Sequence, residues 1–179
     1  METLIVNLFG GPGTGKSTTT AGVFHKLKLA GVNCEMALEY AKDRVWEGSG
    51  HILANQIYVF GKQFHRMWRL DGKVDIIVTD APILNSILYY ADVNPHFADM
   101  VAFEHKRLNN FNIFLQRVKP FNPSGRLQDE VQSKELDQRI REILDGLDEE
   151  YFVAPAVEAT IDELVNMALR RFGQMNGKS

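Results

Sequence analysis

Eight residues near the amino terminus, Gly10 to Ser17 (GGPGTGKS), have the types and spacing needed to hold phosphate groups. They match the pattern G-x-x-x-x-G-K-[ST], in which glycine N–H groups curl around phosphate oxygens at a helix N-terminus. The Lys16 ammonium can reach the β- and γ-phosphates, and the Ser17 hydroxyl suits Mg²⁺. We therefore predict that a nucleoside triphosphate is bound by Gly11, Gly13, Thr14, Gly15, Lys16, Ser17 and Thr18.

A second candidate for magnesium binding is Asp80, which follows the apolar run VDIIVT. Such a run is typical of a buried parallel strand, and open α/β sheets place ligands at the carboxyl ends of their strands. Asp80 can therefore hold Mg²⁺ directly or through water. It could also cap a helix beginning near Pro82, and one residue can do both.

A charged segment after the second predicted strand offers a general base. Phosphoryl transfer needs little covalent help, but a carboxylate can orient and deprotonate an attacking hydroxyl. We predict Glu39 as this base, with Asp43 as the second candidate. The alternative is a solvated turn in which Glu39, Lys42, Asp43 and Arg44 form ordinary surface ion pairs.

Two arginines, Arg117 and Arg126, bracket the loop-like segment VKPFNPSG, which predicts a lid over residues 117–129. Closure would bring guanidinium groups onto the transferring phosphate, and Arg126 is the stronger candidate. Arg139 and Arg141, on the next predicted helix, fit a solvent-facing side equally well.

One predicted helix, from Ile52 to Leu70, has a face that mixes apolar and polar groups and can line a cleft; this face comprises Ile52, Gln56, Val59, Gln63 and Arg66. Gln56, Gln63, Tyr58 and Phe60 could bind a base, although helical aromatics are more often core. The five histidines lack the short spacing of a zinc site, so we expect none to bind metal.

The elements that must position these residues alternate along the whole chain. Apolar runs predict strands at 3–9, 33–38, 74–78, 111–115 and 151–157. Helical spacing fits segments 17–30, 52–70, 82–90, 95–109, 130–144 and 161–172. This order predicts one domain over residues 1–179, an α/β fold with a doubly wound, mainly parallel sheet and helices on both faces.

Composition narrows the classes of partner. The chain has 179 residues, 45% of them hydrophobic, a formal net charge of -3 and one cysteine, Cys34, which we expect to be buried. The charge favours a small substrate over a nucleic-acid backbone. Because no apolar run approaches the roughly 20 residues needed to cross a bilayer, we predict a cytoplasmic protein with no membrane partner. The sequence leaves a homodimer open.

Taken together, the segments FGGPGTGKSTTTAGVFHKLKLAG, EYAKD, NQIYVFGKQ, VDIIVTDAPIL and GRLQDE resemble small phage-associated P-loop kinase-like ATPases. Similar proteins include the ribosylnicotinamide kinase domain, nucleoside and nucleotide kinases, and phage kinases of 5-hydroxymethyluracil in DNA. The resemblance implies nucleotide and Mg²⁺ roles for Lys16, Ser17 and Asp80, a base at Glu39, and a lid position for Arg126. The chain departs from many nucleoside kinases in having Ala81-Pro82 after Asp80, where they have an aspartate-arginine pair.

We therefore expect an ATP- and Mg²⁺-dependent kinase acting on a hydroxyl of a nucleoside, a nucleotide or a hydroxymethylated pyrimidine base, including modified bases in phage DNA. ATP is the expected nucleotide because the guanine-reading pattern N-K-x-D does not occur. The rival hypothesis is a switch that hydrolyses its nucleotide to change a partner protein, with Glu39 or Asp43 orienting water.

Overall fold

A computed structural model describes residues 2–90, 93–118 and 129–177. All five strands of its single sheet run parallel, in the order β2-β3-β1-β4-β5. The strands are β1 Leu4–Phe9, β2 Cys34–Met36, β3 Ile76–Thr79, β4 Asn109–Gln116 and β5 Tyr151–Pro155. The predicted α/β fold with a parallel sheet is confirmed.

The helices of the described residues are α1 Lys16–Leu29, α2 Tyr40–Trp46, α3 Gln56–Trp68, α4 Ile87–Tyr90, α5 Pro95–Lys106, α6 Glu130–Gly146 and α7 Glu158–Met175. The single helix predicted for 52–70 is wrong. A 3-10 turn, Gly50–Ala54, comes first, and Asn55 then starts α3 by accepting a hydrogen bond from the Tyr58 N–H. The helix predicted from Pro82 is likewise a 3-10 turn, Ile83–Ser86, followed by the short α4.

The two faces of the sheet are covered by different helices. On one face α1 and α7 pack around Val23, Leu27 and Leu164. The other face is covered by α3 to α6, whose core side chains include Phe60 and Phe97. Since α1 follows β1 and α4 follows β3, the chain leaves these adjacent strands toward opposite faces. Their carboxyl ends form the crevice where open α/β sheets bind ligands.

A buried polar network joins β1 to β4. Asn7 lies opposite Asn112 in the strand register, and its side-chain amide donates to Asn112 Oδ1 at 3.0 Å and to Asn110 Oδ1 at 2.8 Å. Asn112 in turn donates to Glu149 Oε2, which also lies 3.2 Å from Nε2 of the fully buried His105. Polar groups thus cross an otherwise apolar sheet interior, each supported by another.

No helix in the described parts of the chain has both the length and the apolar character needed to span a membrane. Cys34 is buried and free, as predicted.

Candidate functional site

The loop Gly10–Ser17, called the phosphate loop below, joins β1 to α1 at the crevice. Gly15 has φ +102°, a left-handed conformation that L side chains rarely adopt, and α1 begins at the next residue. A Cβ on Gly11 would overlap the Ser133 carbonyl oxygen of α6. Glycine is therefore required at Gly15 by backbone shape and at Gly11 by the approach of a neighbouring helix.

Lys16 lies at the start of α1 and turns its ammonium back over the loop. Its Nζ donates to the carbonyl oxygens of Gly10 at 2.5 Å and Gly11 at 3.1 Å. Burial lowers the pKa of Lys16, while the negative charges of Glu39 and Asp80 act to raise it. A partly desolvated cation of this kind interacts strongly with an anion that replaces the carbonyl oxygens.

Ser17 and Asp80 are brought together although 63 residues separate them. The Ser17 hydroxyl donates to Asp80 Oδ2 at 2.7 Å, and the Glu39 N–H donates to Asp80 Oδ1 at 3.1 Å. Asp80 is 3% exposed. The helix-cap alternative for Asp80 is not supported, since the turn after it begins at Pro82 without a side-chain cap.

The donor set of this pair suits magnesium. A hydroxyl and a carboxylate are hard oxygen ligands, and Mg²⁺ usually takes one or two such protein ligands together with phosphates and water. Ser17 and Asp80 would be those protein ligands, next to the phosphate loop.

The two candidate bases have different surroundings. Glu39 precedes α2 and lines the cavity described below, and its burial raises the pKa of its carboxyl against the lowering effect of Lys16. Asp43 is instead paired with Arg66 at 2.5 Å, and Arg66 also donates to the Leu38 carbonyl. The charged segment is therefore divided, with Glu39 at the cleft and Asp43 in an ion pair on the α2–α3 side.

Arg117, at the end of β4, holds the phosphate loop from outside. It donates to the Pro12 carbonyl at 2.9 Å, to Ser133 Oγ at 2.7 Å and to Asp137 Oδ2 at 2.9 Å. Asp137 accepts the Gly11 N–H at 2.5 Å, and Ser133 donates to Pro12. We call Arg117, Ser133 and Asp137 the loop clamp. Arg117 thus supports the loop backbone, whereas the sequence suggested a direct contact with the transferring phosphate.

The lid prediction is largely untested. Arg126 and residues 119–128 lie outside the described residues. Arg139 is exposed and donates to the Leu88 carbonyl at 3.1 Å.

A cavity of about 460 Å³ opens beside the phosphate loop, within the range of small-molecule sites. Its lining includes Lys16, Ser17, Glu39 and Asp80, together with residues of α2, α3 and α6. Tyr89 also contributes, and burial of its hydroxyl together with the charge of Glu39 raises the pKa of Tyr89 to about 12. The cavity therefore combines charged and polar groups with apolar side chains from α3 and α6.

The predicted polar face of α3 is partly confirmed. Gln56, Val59 and Gln63 line the cavity, but Ile52 does not and Arg66 pairs with Asp43. Phe60 is a core residue, as helical aromatics usually are, and the Tyr58 hydroxyl lies 3.5 Å from that of Tyr40, outside the cavity lining. Within the phosphate loop, Thr14 buries its side chain on Gly11 O, so its side chain does not face the cavity.

Sequence reasoning missed Ser133, Asp137 and Asn85. The first two lie four residues apart on α6, next to the apolar Leu136 and Ile140, which is the spacing of one helix face. That spacing could have marked a polar edge facing the site. Nothing in the sequence connects it to a loop more than 120 residues away.

The chain matches a described family and is similar to solved structures. The model of a family described as AAA domain matches residues 5–163. A mutant of the APS kinase CysC from Mycobacterium tuberculosis has a TM-score of 0.43 at 18% identity, covering 81% of this chain and 99% of that one. No curated protein matches the chain.

Proposed function

Since the chain belongs to the AAA domain family, we propose that it is an ATP- and Mg²⁺-dependent kinase. Its acceptor is a hydroxyl of a nucleoside, a nucleotide or a hydroxymethylated pyrimidine base such as 5-hydroxymethyluracil. The family and the fold support nucleotide binding, and the kinase activity is the inference drawn from the site.

The observation that carries this proposal is the cavity beside the phosphate loop. A protein that only hydrolyses its nucleotide needs room for one water at the γ-phosphate. Here the cavity of about 460 Å³ takes in the phosphate loop, where the triphosphate itself would bind, and continues to Glu39 and to residues of α3 and α6. The part of the cavity that extends past the phosphate loop to α3 is the space proposed for a second substrate.

The residues of the chain divide the work of transfer. Lys16 exchanges its loop carbonyls for phosphate oxygens and stabilises the negative charge that develops on them. Glu39 accepts the proton of the acceptor hydroxyl, whose oxygen bonds to the γ-phosphorus as the bond from phosphorus to the β–γ bridging oxygen breaks. Magnesium, held by Ser17 and Asp80, would neutralise charge on the phosphates.

A carboxylate with a raised pKa is suited to this role. Burial makes the ionised form of Glu39 less stable, so the carboxylate has a greater drive to take a proton than a solvated one. A glutamate whose only role was to keep the protein surface soluble would be exposed, and Glu39 is not.

The proposal is tested by measuring ADP release from ATP with and without candidate acceptors, using γ-labelled ATP to locate the label. Nucleosides, nucleotides and DNA oligomers containing 5-hydroxymethyluracil form the panel. We expect at least one acceptor to stimulate ADP release and to carry the label. Label found only in inorganic phosphate, with no stimulation by any acceptor, would refute kinase activity.

One observation favours the second candidate, a nucleotide-hydrolysing switch acting on a partner protein. The loop clamp joins the backbone of the phosphate loop to α6 through Ser133 and Asp137, so a change at the phosphates can reach a surface helix. The labelling experiment separates the two functions, because a switch gives inorganic phosphate alone.

A further inference from the structure

Gln63 is a buried amide whose donor group is left without a partner among the described residues. The side chain lies on α3, is 6% exposed and lines the cavity. Its Oε1 accepts the Tyr40 N–H at 2.9 Å, which fixes the orientation of the amide because only the oxygen can accept. Nε2 therefore has two hydrogens to donate and no hydrogen-bond partner within the described ranges.

A complementary group comes from a different element. Asn85, in the turn Ile83–Ser86 after β3, also lines the cavity, and its Oδ1 is buried without a partner in the described part of the chain. Buried polar atoms are paired in the great majority of native sites, so each such atom needs an explanation. One ligand bound in the cavity can pair with both this donor and this acceptor.

The remaining walls restrict the shape of that ligand. The same cavity is lined by apolar side chains from α2, α3, α4 and α6, beside its polar groups: Val45, Val59, Leu88, Leu136 and Ile140. A polyol would find partners in the polar part of the lining but would bury its other hydroxyls against these apolar side chains, which is unfavourable. A planar ring with apolar faces and polar atoms only on its edge satisfies both the walls and the amides.

We propose that Gln63 and Asn85 read the edge of a nucleobase, with Gln63 Nε2 donating to a carbonyl or ring nitrogen and Asn85 Oδ1 accepting from an adjacent N–H. This assignment rests on the proposed kinase function and narrows its acceptor to the nucleoside class. The acceptor hydroxyl then belongs to the sugar or to a substituent of the base, on the side facing Glu39.

The substitution that tests this reading is Gln63→Glu. It retains the oxygen that accepts from Tyr40 and removes the donor. The matched control is Gln174→Glu, the same exchange at an exposed position of α7 outside the cavity lining.

Binding is measured by calorimetry on the full chain with a non-hydrolysable ATP analogue present, using uridine, thymidine, cytidine, adenosine, guanosine and ribose as probes. We expect at least one nucleoside to bind and ribose not to. Gln63→Glu should weaken binding of that nucleoside at least about tenfold, the lower part of the range for leaving a buried group unpaired, while Gln174→Glu should change it about twofold or less. Affinity for the ATP analogue serves as the measure of intact folding in both variants.

A probe that needs no variant provides an independent check. The analogue of the best nucleoside in which the edge N–H groups are fully methylated should lose binding to the wild-type protein. Three results would each overturn the proposal that Gln63 and Asn85 recognise a base. They are ribose binding as tight as nucleoside binding, wild-type nucleoside affinity in Gln63→Glu, and undiminished binding of the methylated analogue. If the protein phosphorylates an alcohol that is not a nucleoside, base recognition is wrong and kinase activity stands. If a nucleoside binds in a Gln63-dependent way but no acceptor stimulates ADP release, base recognition stands and kinase activity is wrong.

Discussion

Replacing Glu39 with glutamine tests the base assignment most directly. Glutamine keeps the size and shape of the side chain and leaves the backbone N–H of residue 39 free to donate to Asp80. It removes only the ability to take a proton. The variant should therefore retain nucleotide and acceptor affinity while losing transfer.

The size of the loss follows from the role. General-base catalysis contributes roughly 100-fold to 10,000-fold, and the lower end corresponds to about 2.7 kcal/mol in activation free energy at 1.36 kcal/mol per decade. We expect kcat to fall at least roughly 100-fold. The expectation is placed at the lower end because Lys16 stabilises the ionised Glu39 and so weakens it as a base.

The pH dependence has a definite sign. Burial raises the pKa of Glu39 above its ordinary value of 4.5, and the base works only when ionised. Wild-type kcat should therefore fall as the pH falls through that raised pKa, and the Glu39→Gln variant should lack this fall. Because the folded state binds the proton of Glu39 more tightly than the unfolded state, ionisation at neutral pH costs stability. The variant should melt no lower than the wild type at neutral pH.

The assay is single-turnover transfer from γ-labelled ATP at saturating acceptor across a pH series, with melting measured in parallel. The control is Asp43→Asn, because Asp43 is already paired with Arg66. If Glu39→Gln transfers phosphate at the wild-type rate and Asp43→Asn loses most of it, the general base is Asp43 and not Glu39. If both variants turn over normally, the proton leaves to solvent and Glu39 has another role.

Four further outcomes are expected. Lys16→Ala should lose roughly 100-fold or more in transfer, as other groups that stabilise developing charge do, with an unchanged circular dichroism spectrum; wild-type turnover would remove the phosphate role. Asp80→Asn should raise the Mg²⁺ concentration needed for half-maximal turnover roughly 10- to 100-fold, as measured by magnesium titration. Nucleotide binding without metal should change less. Arg126→Lys should lower kcat with little change in nucleotide affinity, because lysine lacks the planar two-pronged contact. Burial lowers the pKa of His105 despite the opposing effect of Glu149, so unfolding takes up a proton when the pH is below 6.5. Stability against denaturant should therefore decline as the pH falls below 6.5, and a His105→Gln variant should lose this pH dependence.

Local pattern was sufficient to predict the phosphate loop and the alternation of strands and helices. The loop motif encodes its own geometry, since its glycines, its lysine and the start of α1 are consecutive. Glu39 and Asp80 were predicted to lie near that loop because parallel strands end at one edge of the sheet, and the structure joins them through the hydrogen bond from Glu39 N–H to Asp80.

Tertiary packing decided what the sequence left open. The break before α3 depends on Asn55 acting as an N-cap, which competes with an apolar pattern that runs on unbroken. The pairing of Asp43 with Arg66 depends on how α2 meets α3, and the loop clamp depends on where α6 returns. Such contacts join residues with no shared periodicity, so no pattern in the chain predicts them.

The buried asparagines of β1 and β4 have a consequence for how the strands find their alignment. Apolar side chains such as those beside Asn7 do not define the strand register by themselves, since a shifted partner strand offers them similar aliphatic contacts. Asn7 does define it, because only the observed pairing brings it within 3.0 Å of Asn112 Oδ1. A slip by two residues keeps every side chain on its own face, but it breaks the paired set of amides. In one direction it sets Asn7 opposite Phe114, and in the other it sets Asn7 opposite Asn110 and leaves Asn112 without its partner. These asparagines thus select one strand register among several that bury similar apolar surface. The register in turn sets where β1 ends relative to β4, and so where the phosphate loop begins.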